Sequence, residues 1–212
     1  MDKAGKLKKV WNFFWHDDSV ASWAANVVVA FVVIRFLLYP LLGIVLGTSF
    51  PIVAVVSESM EHGLHEGRLC GNYYDEFKES FDNYWDACGS WYEQRGISKA
   101  QFKDFSFPNG FNKGDVILLW RANEKNLEVG DILIFEGGRP QPIIHRTVNI
   151  FEEEGERLYQ TKGDHNNGMI PGEDKIEESR IYGQGLLRVP YLGWVKILFV
   201  DLVRPLGWNI QK

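Results

Sequence analysis

The longest apolar stretch lies near the start of the chain. Between Ser19 and Ser57 the only charged residue is Arg35. That exceeds the roughly 20 residues a helix needs to cross a bilayer. A core helix of a soluble domain seldom runs this far without a polar face. A cleavable leader has a shorter apolar region and lacks the extended aromatic lead-in of Trp11, Phe13, Phe14 and Trp15, which reads as an interfacial belt. The pattern predicts a cytoplasmic segment over 1–21 and a transmembrane helix over 22–48, with Pro40 and Gly43 permitting a kink. Arg35 is costly inside it unless it snorkels or pairs. Lys3, Lys6, Lys8 and Lys9 precede the span and the first basic residue after it is Arg68. The positive-inside rule therefore puts the N-terminus in the cytoplasm and the remainder outside.

Past the span the pattern changes period. Ile52–Val56 reads as a strand ending in the polar turn Ser57-Glu58-Ser59-Met60. Residues 61–108 are aromatic and acidic, and Tyr74, Phe77, Phe81 and Tyr84 carry helical spacing, which predicts a helical insertion. Residues 109–194 return to short apolar runs, with strands expected at Val116–Trp120, Asp131–Phe135, Ile143–Val148 and Arg157–Lys162. Gly114-Asp115 and Gly130-Asp131 supply turns before two of them. Short strands separated by turn signals predict a mainly β fold, a small antiparallel domain over 49–194. The tail is apolar but interrupted by Lys196, Asp201, Arg204 and Pro205. A second span would have to bury those charges, so 195–212 reads as an amphipathic segment on the membrane surface, with Tyr191, Trp194, Phe199 and Trp208 facing the interface.

Composition narrows the function. A formal charge of −5 leaves no basic surplus to meet phosphates, which argues against nucleic-acid binding. The 45% hydrophobic content excludes a disordered chain. Two cysteines, Cys70 and Cys88, exclude a disulfide scaffold and a four-thiolate zinc site. Outside the cytoplasm the two can pair, closing a loop worth about 3 kcal/mol in the chain-entropy model; two free buried thiols are the alternative. No glycine-rich phosphate cradle is present. His62 and His65, flanked by Glu61 and Glu66, lack a third convincing metal ligand and read as a polar turn.

The remaining chemistry is distributed along the chain. A serine in a sharp turn after an apolar strand can expose its hydroxyl, and Ser57 and Ser59 both qualify. Serine needs a neighbouring base. His145 lies in an apolar run beside Arg146, where a lone histidine is more often a satisfied core residue than a base. Asp164, at a glycine turn, is by itself an ordinary capping residue, though a serine–histidine pair needs such an acid to orient the imidazole.

Four blocks occur in order: Ser57-Glu58-Ser59-Met60, Val129-Gly130-Asp131-Ile132, Ile144-His145-Arg146 and Thr161-Lys162-Gly163-Asp164-His165-Asn166. Behind a span of this orientation, and followed by Val189-Pro190-Tyr191-Leu192-Gly193-Trp194, they resemble type I signal peptidase of the archaeal and endoplasmic-reticulum branch. The resemblance implies Ser59 as nucleophile, Ser57 as oxyanion support and His145 as general base, where the bacterial branch uses lysine. It implies Asp164 as an acidic site residue. A second family aspartate is expected six positions later, where Ile170 stands here. The next acids are Glu173 and Asp174, of which Asp174 is nominated; which acid orients His145 stays open. Two further departures are His62, where the family often has proline, and the insertion 61–108, absent from compact members.

The implied activity is membrane-anchored serine endoproteolysis that removes signal peptides after small residues. Precursor proteins, membrane lipid and the protein translocation channel are the expected partners, and no cofactor is implied. The setting is a cell membrane, or that of the endoplasmic reticulum in a eukaryote. Two alternatives stand beside it: a membrane-bound serine protease with a single client, and a non-catalytic scaffold subunit of a translocation-associated complex.

Overall fold

A computed structural model describes residues 3–203 apart from positions 124 and 140. The described residues divide into two compact units, which meet at Gly47 and Thr48 in the sequence. In the first, helix α1 (Lys3–Trp15) turns into α2 (Val20–Val33), which Ser19 caps by accepting from the Ser22 amide at 3.2 Å. Ser22 donates its hydroxyl to the Phe13 carbonyl, and the Asn26 amide reaches the Phe14 carbonyl at 3.0 Å. These bonds seat the two helices against each other.

Helix α2 continues through a π-helical turn, Ile34–Leu38, into α3 (Tyr39–Leu46). The cause is Pro40, which cannot donate to the carbonyl four residues back and would clash with it. The widened turn instead bonds the Tyr39 amide to the Ile34 carbonyl. Gly47 ends the helix with φ 67°. Val20–Leu46, 27 residues that include an 18-residue stretch of mean hydropathy 2.5, is long and apolar enough to cross a membrane.

The second unit is mainly β. It contains β1 (Ile52–Ala54), β2 (Arg68–Leu69), β3 (Asn72–Tyr73), α4 (Phe81–Glu93), α5 (Lys99–Asp104) and β4 (Val116–Trp120). These are followed by β5 (Ile132–Phe135), β6 (Ile143–Glu153), β7 (Glu156–Lys162), β8 (Ile176–Glu177), β9 (Ile181–Val189) and α6 (Trp194–Val203). Seven strands form one antiparallel sheet in the order β1-β4-β9-β5-β6-β7-β8, and β2 and β3 make a separate hairpin. The strand expected at Ile52 is shorter than its apolar run and forms an edge of the sheet.

Alternation along the strands splits the interior. Ile132 and Ile134 of β5 join Val55, Met60, Phe111, Ile117 and Leu119 on one side. Leu133 and Phe135 join Ile143, Tyr159 and Ile176 on the other. The insertion is helical in α4 and α5, but Tyr74 and Phe77 precede the Ser80 cap and pack as loop residues. They cover a third cluster built on Tyr84, Trp85, Tyr92 and Phe102. Cys70 and Cys88 are joined as a disulfide inside that cluster, with a Cα–Cα distance of 5.6 Å. Helix α6 buries Ile197 and Val200 and exposes Val195, Leu198, Phe199 and Leu202. Trp208, Arg204 and Pro205 lie outside the described residues.

Candidate active site

The serine turn follows β1. The Glu61 amide bonds back to the Glu58 carbonyl at 3.0 Å, closing a turn with Ser59 inside it. Lys113 braces both ends, its ammonium on Glu58 at 2.6 Å and its amide on the Glu61 carboxylate at 2.9 Å. Ser59 is half-buried, and its hydroxyl shares a 3.2 Å hydrogen bond with that of exposed Ser57. Its carbonyl accepts from the His165 amide at 2.9 Å. The turn is thereby attached to the loop that carries Lys162-Gly163-Asp164.

The histidine comes from the middle of the sheet. His145 and Arg146 are consecutive on β6, so their side chains leave opposite faces. His145 is paired with Leu133 of β5, and Arg146 lies across from Lys162 of β7. On the His145 face, Nδ1 donates to the carboxylate of Glu173. That carboxylate also accepts from the Thr161 hydroxyl at 2.9 Å and the Ile170 amide at 2.6 Å. With Nδ1 engaged, Nε2 is the nitrogen left for proton transfer. It lies close to the serine turn, across Gly163. His145 Nε2 and the Ser59 carbonyl oxygen lie 2.7 and 2.8 Å from where a Cβ on Gly163 would stand. The glycine is required by this close approach.

The acids therefore separate. Asp164 is fully buried on the other face. Its carboxylate accepts from Arg146 Nε at 2.9 Å and Nη2 at 2.7 Å, from Tyr92 at 3.0 Å and from His62 Nε2 at 2.9 Å. Burial alone would raise its pKa, but the guanidinium and the His62 bond outweigh it and hold the carboxyl well below the ordinary range. Asp174 is exposed, and the residue beside His145 is its neighbour Glu173. Residue type drew the sequence reading to Asp174; the longer glutamate, folded back over Ile170 by a 3.2 Å backbone bond, reaches the ring instead.

His62 is likewise more than part of a turn, since its ring is buried against Tyr84 with centroids 3.4 Å apart. Lys162, also buried, places its ammonium on the Gly163 and Asp164 carbonyls at 3.0 and 3.2 Å. Burial brings its pKa down to about 8 against the pull of Asp164 and Glu173. Among the described residues, no group of three or more His, Cys, Asp or Glu side chains is placed to hold a metal ion.

Chemically, a hydroxyl, an imidazole with one free nitrogen and a carboxylate on the other nitrogen are the parts of a serine acyl-transfer site. No protein-family model matches the chain. It is 34% identical over 103 residues to the signal peptidase complex catalytic subunit SEC11 of Colletotrichum graminicola and of Metarhizium acridum, a match covering 45% of this chain and 60% of each relative. It is 31% identical over 103 residues to the human signal peptidase complex catalytic subunit SEC11C, covering 54% of that protein. The match thus spans less than two thirds of these relatives. Over those 103 residues the chain is similar in sequence to catalytic subunits of signal peptidase complexes.

Proposed function

We propose that this chain is a membrane-anchored serine endopeptidase that removes signal peptides from translocated precursors. The observation that carries the reading is the placement of His145, with Glu173 on one ring nitrogen and the Ser59 turn at the other. Ser59 Oγ attacks the scissile carbonyl and its proton passes to His145 Nε2, which later delivers it to the leaving amine. Glu173 holds the tautomer and stabilises the imidazolium. The Ser59 amide and the Ser57 hydroxyl receive the oxyanion, each such donor being worth about 3 kcal/mol. Asp164 supports the site from behind, and Asp174 has no part in the chemistry.

Substrate recognition follows from the sheet. Among the described residues, strand β1 is bonded on one side only, to β4. An extended precursor segment pairs along its open edge and runs toward Ser57 and Ser59. The apolar helix Val20–Leu46 anchors the chain, with the lysines of α1 in the cytoplasm and the β unit beyond the membrane. The exposed apolar side of α6 lies in the lipid interface. The relatives' name, catalytic subunit of a signal peptidase complex, supports assembly with further subunits, and cleavage of translocated precursors would place that assembly near the translocation channel. In a eukaryotic host the membrane is that of the endoplasmic reticulum.

The test is precursor cleavage by the full chain in lipid vesicles. Ser59→Ala and His145→Ala each abolish cleavage while membrane insertion persists. Cleavage retained by Ser59→Ala removes the reading.

A further inference from the structure

One buried side chain is left over from the mechanism. His62 lies three residues past Ser59, at the start of the insertion. Its ring is 8% exposed and stacks on Tyr84 with an interplanar angle of 3°. Nδ1 is buried without a hydrogen-bond partner. The ring proton is therefore on Nε2, which donates to Asp164 Oδ2 at 2.9 Å. Leaving a buried nitrogen unsatisfied is costly, so the bond that Nε2 makes has to repay the arrangement.

The far side of the same carboxylate gives the reason. Arg146, the residue after His145, clasps Asp164 through Nε and Nη2 at 2.9 and 2.7 Å. One carboxylate thus joins two short chain segments. His62 leads back to the nucleophile turn, and Arg146 leads back to the strand of the base. Tyr92 adds a third donor from the insertion at 3.0 Å, and the Tyr84 hydroxyl bonds the Asp164 carbonyl at 3.1 Å. The Asp164 amide completes the junction by meeting Met60 Sδ, beside Ser59, at 3.4 Å.

We propose that His62 is a positioning residue for peptide cleavage: through Asp164 it fixes the turn bearing Ser59 against the strand bearing His145. This rests on the Ser59–His145 reading. It also gives the insertion a task, because the ring on which His62 stacks and the hydroxyl that flanks it on Asp164 both come from α4. A positioning residue acts on the alignment of reacting groups, so its loss lowers kcat and leaves substrate binding along β1 in place. Misalignment of this kind costs roughly 10- to 100-fold in rate.

The experiment measures kcat and KM separately for the full chain in vesicles, with folding of each variant followed by near-ultraviolet circular dichroism at the assay temperature. His62→Phe keeps the ring stack and removes the donor; kcat falls about tenfold or more and KM stays within about twofold. His62→Gln, whose amide nitrogen reaches the place of Nε2, recovers most of the loss. If the phenylalanine variant does not fold, His62→Asn, too short to reach Asp164, takes its place in the comparison with His62→Gln. A wild-type kcat in the donor-free variant overturns the proposal, as does an equal loss in the glutamine variant or a change confined to KM. Failure of the underlying reading is distinguishable, because it shows as cleavage that survives Ser59→Ala, and the proposal falls with it.

Discussion

His145 and Glu173 meet Nδ1 to Oε1, and the other ring nitrogen stands across Gly163 from the Ser59 carbonyl. The glutamate is itself held by the Thr161 hydroxyl and the Ile170 amide, so the imidazole is oriented by a carboxylate that has little freedom. In serine acyl transfer the acid's task is to select the tautomer and stabilise imidazolium, and exchanging it for an amide costs about 10⁴ in kcat in the best-studied arrangement.

The first prediction follows directly. Glu173→Gln, isosteric but uncharged, lowers kcat for precursor cleavage by at least about 100-fold. Asp174→Asn, altering an exposed neighbour that does not touch the ring, changes it by less than about twofold. The pair is read in one vesicle assay. A large loss in Asp174→Asn with activity kept in Glu173→Gln would reverse the assignment of the acid.

A second prediction concerns the space between His145 and the Ser59 turn. Gly163 adopts a backbone conformation open to any residue, so strain gives no reason for glycine. The reason is crowding. A Cβ would stand 2.6 Å from Asn166 Nδ2, 2.7 Å from His145 Nε2 and 2.8 Å from the Ser59 carbonyl oxygen. Gly163→Ala therefore pushes the imidazole from the serine turn. Cleavage falls by about 100-fold, and stability falls by about 1–3 kcal/mol, the usual cost of overpacking. Kinetics and denaturant midpoints check the two halves. An alanine variant that cleaves at the wild-type rate means that the close approach is not maintained during turnover.

Local pattern made much of this fold legible. Val116–Trp120 is read correctly because an uninterrupted apolar run follows the Gly114-Asp115 turn, and the strand has those bounds. The runs at 131–135, 143–148 and 157–162 likewise mark β5, β6 and β7. Strand β9 is not among the strands expected from the sequence, and Gly183 and Gly185 interrupt its apolar pattern. They are there because the neighbouring strand comes close: a Cβ on Gly183 would lie 2.7 Å from the Trp120 carbonyl oxygen. The aromatic spacing at 74–84 overstates the helix, since Tyr74 and Phe77 fill the same cluster from the loop before Ser80, the N-cap of α4.

In the site, motif order picks out Ser59, Ser57 and His145, and the structure gathers them with the Lys162–His165 loop. It does not reveal that Glu173 is the carboxylate bonded to His145. That depends on which face of β6 each side chain leaves and on how the chain folds back after Asn166, neither of which has a spacing to read. His62 is obscured for a similar reason, because its partner lies 102 positions away.

The last prediction isolates Lys162. Its ammonium is buried and answered by carbonyl oxygens and the Tyr92 hydroxyl, and its pKa stands near 8 in place of 10.5 because burial disfavours the charge. In the unfolded chain the ordinary value returns. Between about pH 8 and 10.5 the unfolded state therefore binds the extra proton, and stability rises with pH by up to about 1.4 kcal/mol per unit from this one group. Below pH 8 both states are protonated, and the burial penalty is fully present. Other titrating groups contribute to the absolute curve but largely cancel when wild type is compared with Lys162→Met. The wild type thus gains about 2–3 kcal/mol relative to the methionine variant between pH 7 and 10, measured as the difference in unfolding free energy in matched detergent. A difference that stays constant over that range would mean that Lys162 keeps its proton in the folded state, held by the Asp164 and Glu173 charges against the cost of burial.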